Sequence, residues 1–227
     1  MKWRVVALAL LLSLSAPVLG AEVKGGYGPG GAPAPTAAVG VAGADGTGTA
    51  PQWPSAPPPG TWRVVYLTFD DGPNSVFTPQ VLDILRAQGV KATFMVVGRN
   101  VRTNPGVLRR IREEGHAVGN HSDSHDYGLF RSPAAFAADL RRAEDAIASV
   151  TGVRPRIYRP PGGPHHLTPG CLEVLRSRGY RVVGWNVSSA DTDPHGVTPE
   201  QLVHNVVDGV RNLRGNGPAV VLMHDGT

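Results

Sequence analysis

The sequence holds one cysteine, Cys171, among 227 residues, so no disulfide can form within the chain even in an oxidising compartment. Cys171 falls in a helix-like segment, which predicts a buried structural thiol. Long apolar runs are also missing. The run from Val5 to Leu14 is far short of the ~20 residues a membrane-spanning helix needs. It follows Lys2 and Arg4 and leads into small residues between Ala16 and Gly20, so residues 1–20 read as a secretory signal peptide. A secreted or cell-wall-associated protein is expected, with no stable membrane anchor once that segment is cleaved. Blocks of one charge are absent as well: 22 Lys and Arg are scattered among 18 Asp and Glu, leaving a net charge of +4. Nucleic acid is therefore not an expected partner. No glycine-rich phosphate fingerprint follows the first strand candidate, which argues against a dinucleotide-binding sheet.

What is present divides the chain. Gly25 to Gly60 holds eight Pro and ten Gly with Asp45 as its only charge, the composition of a linker without a packed core. Residues 21–61 are assigned to it. From Trp62 onward, strand candidates alternate with helix candidates. The strands are Arg63 to Phe69, Lys91 to Val97, His116 to Asn120, Arg156 to Arg159, Tyr180 to Val187 and Pro218 to His224. The helices open with a capping residue before a proline, at Thr78-Pro79, Asn104-Pro105, Ser132-Pro133, Thr168-Pro169 and Thr198-Pro199. Four of them stop at Gly89, Gly115, Gly152 and Gly179. Strands joined by helical crossovers predict a parallel α/β sheet, barrel-like rather than open, over residues 62–227.

In such a barrel, chemistry gathers where strands end. Asp70 and Asp71 follow the first strand, His121 and His125 the third, Arg159 the fourth, Asp191 the fifth, and His224 closes the sixth. Asp-Asp-Gly-Pro alone is an ordinary turn, and a His pair four apart is a weak signal in a chain with eight histidines. Their joint arrival at one rim is the informative feature. Two imidazoles and a carboxylate leave an open position on a metal such as zinc, which suits catalysis rather than scaffolding. The same ligand set serves non-haem iron oxygenases, but a second Asp and a separate His favour hydrolysis.

The segments TFDDGP (68–73), HSDSH (121–125), RPPGG (159–163), WNVSSAD (185–191) and LMH (222–224) resemble, in order and spacing, the motifs of the polysaccharide deacetylase family with the NodB homology domain. The resemblance implies a distorted (β/α) barrel. It implies Asp70 as general base, Asp71, His121 and His125 as ligands of a divalent ion (zinc first, cobalt or another ion as alternatives), and His224 as general acid. Arg159 would orient Asp70, Asp191 would tune His224, the Gly162 N–H would face an oxyanion, and Leu222 would shape the acetate pocket. The implied substrate is an N-acetylglucosamine polymer, peptidoglycan or chitin-like; the sequence leaves the oligomeric state open, with a monomer favoured. Acetylxylan O-deacetylation and a non-catalytic wall-carbohydrate-binding module are the alternatives. Gly162 stands where the family usually carries an aromatic residue, which implies weaker sugar stacking or stacking supplied elsewhere; Trp185 and Tyr127 are the candidates, and core or surface packing is the first expectation for each. Six strands against the family's seven, in a chain that stops three residues after His224, lead to the expectation that a last helix and strand are absent.

Overall fold

The computed structural model describes residues 64–215 and 217–226. The signal-peptide and linker expectations lie outside these residues. Seven strands form one sheet: β1 (Val65–Asp70), β2 (Thr93–Val96), β3 (Ala117–Asn120), β4 (Ile157–Tyr158), β5 (Arg181–Val182), β6 (Val187–Ser188) and β7 (Ala219–His224). Their order is β5-β4-β3-β2-β1-β7-β6, and every pairing is parallel. Parallel neighbours require crossovers. These carry α1 (Phe77–Ala87), α2 (Gly98–Thr103), α3 (Pro105–Glu113), α4 (Pro133–Thr151), α5 (Pro169–Ser177) and α6 (Pro199–Asn212). Among the described residues no helix is long and apolar enough to cross a membrane.

The count of six strands is corrected to seven. Tyr180 to Val187, read as one strand, contains two that lie on opposite edges of the sheet. From Val182 to Val187 the chain spans at most about 18 Å, whereas the edges of a flat seven-stranded sheet would stand about 29 Å apart. The sheet therefore curls until its edges approach, giving a half-barrel that stays unpaired between β5 and β6. An extended apolar run has the same pattern whether it lies in one strand or crosses between two, so periodicity does not reveal the break.

Alternation along β1 and β7 sorts their side chains. Leu67, Phe69, Val221 and Met223 join the main core with α1, α3 and α6. Thr68, Asp70, Leu222 and His224 take the other face. In that core Leu82, Leu85, Leu108 and Ile111 are fully buried, each stabilising the fold by about 1.5–3 kcal/mol. A second cluster packs Phe130, Phe136, Tyr158 and Leu175 around Cys171, which is a buried free thiol.

Three of the five expected caps form: Ser132, Thr168 and Thr198 accept from the N–H of Ala135, Cys171 and Gln201. The other two are corrected. Asn74 Oδ1 accepts from Val76 and Phe77 N–H at 2.7 and 2.9 Å, so α1 starts before Thr78 and leaves that hydroxyl for another partner. Asn104 follows α2, a helix not anticipated, and its amide turns to the carbonyls of Pro73 and Asn100. The four stop glycines all have positive φ, 63–75°, which costs a glycine little.

His116 is a core histidine. Its Nδ1 accepts from Ala92 N–H at 3.1 Å, which requires a neutral ring, and burial pushes its pKa from 6.5 down to about 4. The unfolded chain takes up that proton first. Stability from the neutral ring is therefore complete above about pH 6.5 and is lost as the pH falls towards about 4. In urea titrations at pH 7 and pH 5, His116→Gln should lose less stability between the two than the unaltered protein.

Candidate metal centre and catalytic rim

Asp71 follows β1 and His121 follows β3, with His125 at the end of the same loop. Asp71, Ser122 and His125 hold positive φ angles of 76°, 70° and 58°. Such non-glycine conformations cost of order 1–3 kcal/mol each and persist only when neighbours impose them. Here the neighbours are identifiable. Asn120 Oδ1 accepts from Ser122 N–H at 2.9 Å and Ser122 Oγ from His125 N–H at 2.8 Å. The buried Asp139 carboxylate on α4 accepts from Asp123 and Ser124 N–H at 2.7 and 3.1 Å. Asp123 is gripped in turn by two bonds from Arg102 and one from Arg142.

This clamp was not foreseen, because Asp139 and Arg142 look like one polar stripe on a helix until α4 is laid against the loop. Asp139→Ala should lower stability by roughly 3 kcal/mol, for two bonds to a charged acceptor. It should also weaken metal binding about tenfold or more by loosening the loop. Urea unfolding and a metal-competition titration check the two effects.

The three expected ligands converge: one donor atom from each of Asp71, His121 and His125 lies within 4.8 Å of the others. His121 Nδ1 is 2.7 Å from the Arg159 carbonyl. A carbonyl only accepts, so the ring proton sits on Nδ1, and the Nε2 lone pair faces Asp71 Oδ1 at 3.3 Å. His125 Nε2 lies 3.1 Å from the same oxygen, which is buried and receives no hydrogen bond. Lone pairs held this close repel unless a cation lies among them. Without a cation among them the rings would have to carry protons towards Asp71, and such charges would outweigh burial, which raises its carboxyl, and hold it well below the usual carboxylate range. These residues fit a divalent metal with open coordination positions.

Around that trio, Arg159 organises the interior of the half-barrel. It is fully buried, yet every arm of its guanidinium is satisfied. Nη1 donates to Asp70 Oδ1 and Thr68 Oγ1, both at 2.7 Å; Nη2 donates to the Gly184 carbonyl at 2.8 Å, and Nε to that of Val183 at 3.3 Å. In a flat sheet β4 and β1 would stand about 14 Å apart, so only the curl brings Arg159 to Asp70. Asp70 Oδ2 is 3.7 Å from His121 Nε2, and Asp70 pairs in register with His224.

His224 is held twice by Asp191: its Nδ1 lies 2.7 Å from Oδ1, and its backbone N–H donates to Oδ2 at 2.7 Å. Burial opposes a charge on the ring, but the Asp191 carboxylate overcomes it and the pKa is raised. Leu222 shares the face of His224, and Gly162 sits exposed in the turn after β4 with φ 73°.

One residue at this rim escapes sequence reasoning altogether. Asp225 is buried, accepts from Thr78 Oγ1 at 2.6 Å and donates its N–H to the Asp70 carbonyl at 3.1 Å. A Cβ on Gly72 would come within 2.5 Å of its carboxylate. Asp225 thus packs directly under the turn that carries Asp70 and Asp71. Burial pushes its carboxyl up to about 7.

Fold and site together define a class: an α/β half-barrel with an Asp-His-His metal site, flanked by an arginine-held carboxylate and an aspartate-held imidazole. Residues 58–201 match the family model described as polysaccharide deacetylase. Over 168 residues the chain is 32% identical to a peptidoglycan-N-acetylglucosamine deacetylase of Bacillus cereus, covering 74% of this chain and 75% of that protein. It is 35% identical over 174 residues to the Listeria monocytogenes deacetylase PgdA, covering 76% of this chain but only 34% of that longer protein. The crystal structure of the catalytic domain of a Eubacterium rectale peptidoglycan N-acetylglucosamine deacetylase matches with a TM-score of 0.66 at 36% identity, over 73% of this chain and 77% of that one. The chain belongs to the polysaccharide deacetylase family.

Proposed function

We propose that this protein is a secreted hydrolase that removes N-acetyl groups from N-acetylglucosamine-containing polysaccharide, with peptidoglycan as the first candidate substrate. The observation that carries the reading is the arrival of two different proton-handling groups, Asp70 and His224, on paired positions of β1 and β7 beside the Asp71, His121 and His125 cluster. A divalent ion held by those three residues, zinc as the first choice, supplies Lewis acidity that polarises a carbonyl and acidifies water.

The chain's own residues do the rest. Asp70, fixed by Arg159, takes a proton from the attacking water as its oxygen bonds to the acetyl carbon. The Gly162 N–H faces the oxygen on which negative charge develops, and one such donor is worth roughly 2.7–4 kcal/mol in other enzymes. His224, protonated and held by Asp191, gives its Nε2 proton to the nitrogen as the C–N bond breaks. Acetate and a free amine leave. Leu222 borders the space for the acetate methyl group.

Because His224 must carry its proton to act, the Asp191 contact extends activity towards alkaline pH. Asp191→Asn should move the alkaline limb of the kcat profile to lower pH, as loss of an opposite charge lowers the imidazole pKa.

The reading as a whole is tested by elemental analysis of the purified protein and by acetate release from peptidoglycan, chitin oligomers and acetylxylan, with and without prior chelation. Release from the first two, abolished by chelator and restored by zinc, is the expected result. Release from acetylxylan alone would move the assignment to an O-deacetylase. No release from any, with metal bound and the fold intact, would favour a binding module.

A further inference from the structure

The strand that separates the two halves of the metal centre brings no ligand of its own. Asp71 follows β1 and His121 follows β3, with β2 between them, so two strand spacings, about 10 Å, part their backbones. The clamp of Asp139, Arg102 and Arg142 acts on the histidine half. The aspartate half is held from the end of β2.

The segment leaving β2 grips both halves residue by residue. The Val96 carbonyl accepts from His121 N–H at 2.9 Å, and Val97 N–H donates to the Gly72 carbonyl at 2.9 Å. Gly98 and Arg99 N–H donate to the carbonyls of Ser122 and Asp123 at 3.0 and 3.1 Å. Asn100 turns back to the aspartate side, where its Nδ2 donates to the Asp71 carbonyl at 2.7 Å. Residues 96–100 thus tie the turn that carries Asp71 to the loop that carries His121 and His125. So close an approach requires glycine at position 98, since a Cβ there would run into Asp123 Oδ1 and come within 2.8 Å of the Ala143 α-carbon.

Every carbonyl of the Asp70–Pro73 turn is held from outside, in order by Asp225 N–H, Asn100 Nδ2, Val97 N–H and Asn104 Nδ2. Of these donors Asn100 alone addresses a metal ligand. It also meets the residue of that turn whose backbone is strained, for Asp71 holds φ at 76°, a conformation that its neighbours must impose. A bond to the Asp71 carbonyl fixes the peptide plane that follows, and with it the direction of the Cα–Cβ bond that aims the carboxylate at the two imidazoles. A ligand set ordered by the fold binds its ion without first losing freedom.

We propose that Asn100 is a positioning residue of the metal centre: by holding the Asp71 carbonyl it sets the place of this ligand relative to the histidine pair, and thereby the affinity for the ion. The proposal rests on the metal-ion part of the deacetylase reading and not on the reaction catalysed.

The test is a zinc competition titration against a chromophoric chelator on the metal-stripped full chain, with urea unfolding of the same metal-free proteins. Asn100→Ala should weaken zinc binding about tenfold, the lower end of what groups that orient metal ligands contribute. Asn100→Leu keeps the bulk without the donor and should bind as weakly, whereas Asn100→Gln keeps the donor and should recover most of the affinity. A residue that only stabilises the fold would lower the unfolding free energy and leave the zinc dissociation constant of the folded protein unchanged. That result in Asn100→Ala would overturn the proposal, as would full affinity in Asn100→Leu or a Gln variant no better than the Leu variant. Should Asn100→Ala fail to fold, the Leu and Gln variants decide by the same criteria. Zinc affinity that depends on Asn100, in a protein that releases no acetate from peptidoglycan, chitin oligomers or acetylxylan, would sink the deacetylase reading and leave the role of Asn100 standing. No zinc binding by the unaltered protein would sink the metal assignment and this role with it.

Discussion

Asp70→Asn is expected to lower kcat on the N-acetylglucosamine tetramer by roughly 10²–10⁴, the usual contribution of a positioned general base, while bound metal stays at the level of the unaltered protein. The asparagine keeps the size of the side chain and can still accept from Arg159, but an amide does not take up water's proton. Asp71, His121 and His125 are untouched, which is why metal content separates this loss from a collapse of the site. A second consequence follows from burial. Arg159 is fully buried and Asp70 is its only carboxylate partner among the described residues, so neutralising Asp70 leaves a buried charge without compensation. A cost of about 3–5 kcal/mol is typical of breaking such a pair. Steady-state kinetics, elemental analysis and thermal unfolding on the same preparation separate the catalytic from the structural effect. Full turnover with normal metal content would remove Asp70 from the role of base.

Arg159→Met should have the largest effect on the fold. Methionine approximates the length of the stem but supplies none of the donors that reach Asp70, Thr68, Val183 and Gly184. Asp70 would be left buried and unpaired, and two carbonyls of the segment joining β5 to β6 would lose their donors. Breaking the buried pair again implies about 3–5 kcal/mol, which for a domain of this size lowers Tm by roughly 6–20 °C. Activity should fall with it, because Asp70 is no longer oriented. Arg159→Lys should recover part of the stability and little of the activity, since an ammonium cannot reproduce a planar fork that serves four acceptors. Amide exchange offers a local readout: faster exchange at Val183 and Asn186, whose N–H groups bond Tyr158 and Val220 across the two sheet edges, is the expected signature. Unaltered exchange there would contradict the part assigned to Arg159 in holding the half-barrel curled.

The two variants probe one physical arrangement from its two ends. Asp70 belongs to a short strand whose pattern is plain in the sequence, and Arg159 follows another. The local pattern of neither segment states that they touch, and only the family resemblance implies it, because β2 and β3 lie between their strands. The contact exists only because the sheet bends, and the bend is imposed by the short connection across its open side.

By itself the sequence determined whatever depends on neighbours in the chain. The Ser-Pro and Thr-Pro pairs and the stop glycines marked most helix boundaries, since capping and positive φ are local matters. Asp71, His121 and His125 were legible as a metal set because they stand at strand ends, where parallel α/β folds collect functional groups, and two of them share one loop. The tertiary structure decided what depends on distant partners. It split Tyr180 to Val187 between two edges, recruited Asp139, Arg102 and Arg142 to hold the strained histidine loop, and set Asp225 and Thr78 beneath the Asp70–Gly72 turn. Each of these is a contact between segments far apart in sequence, and a buried carboxylate or an arginine carries no local mark of which partner it will meet.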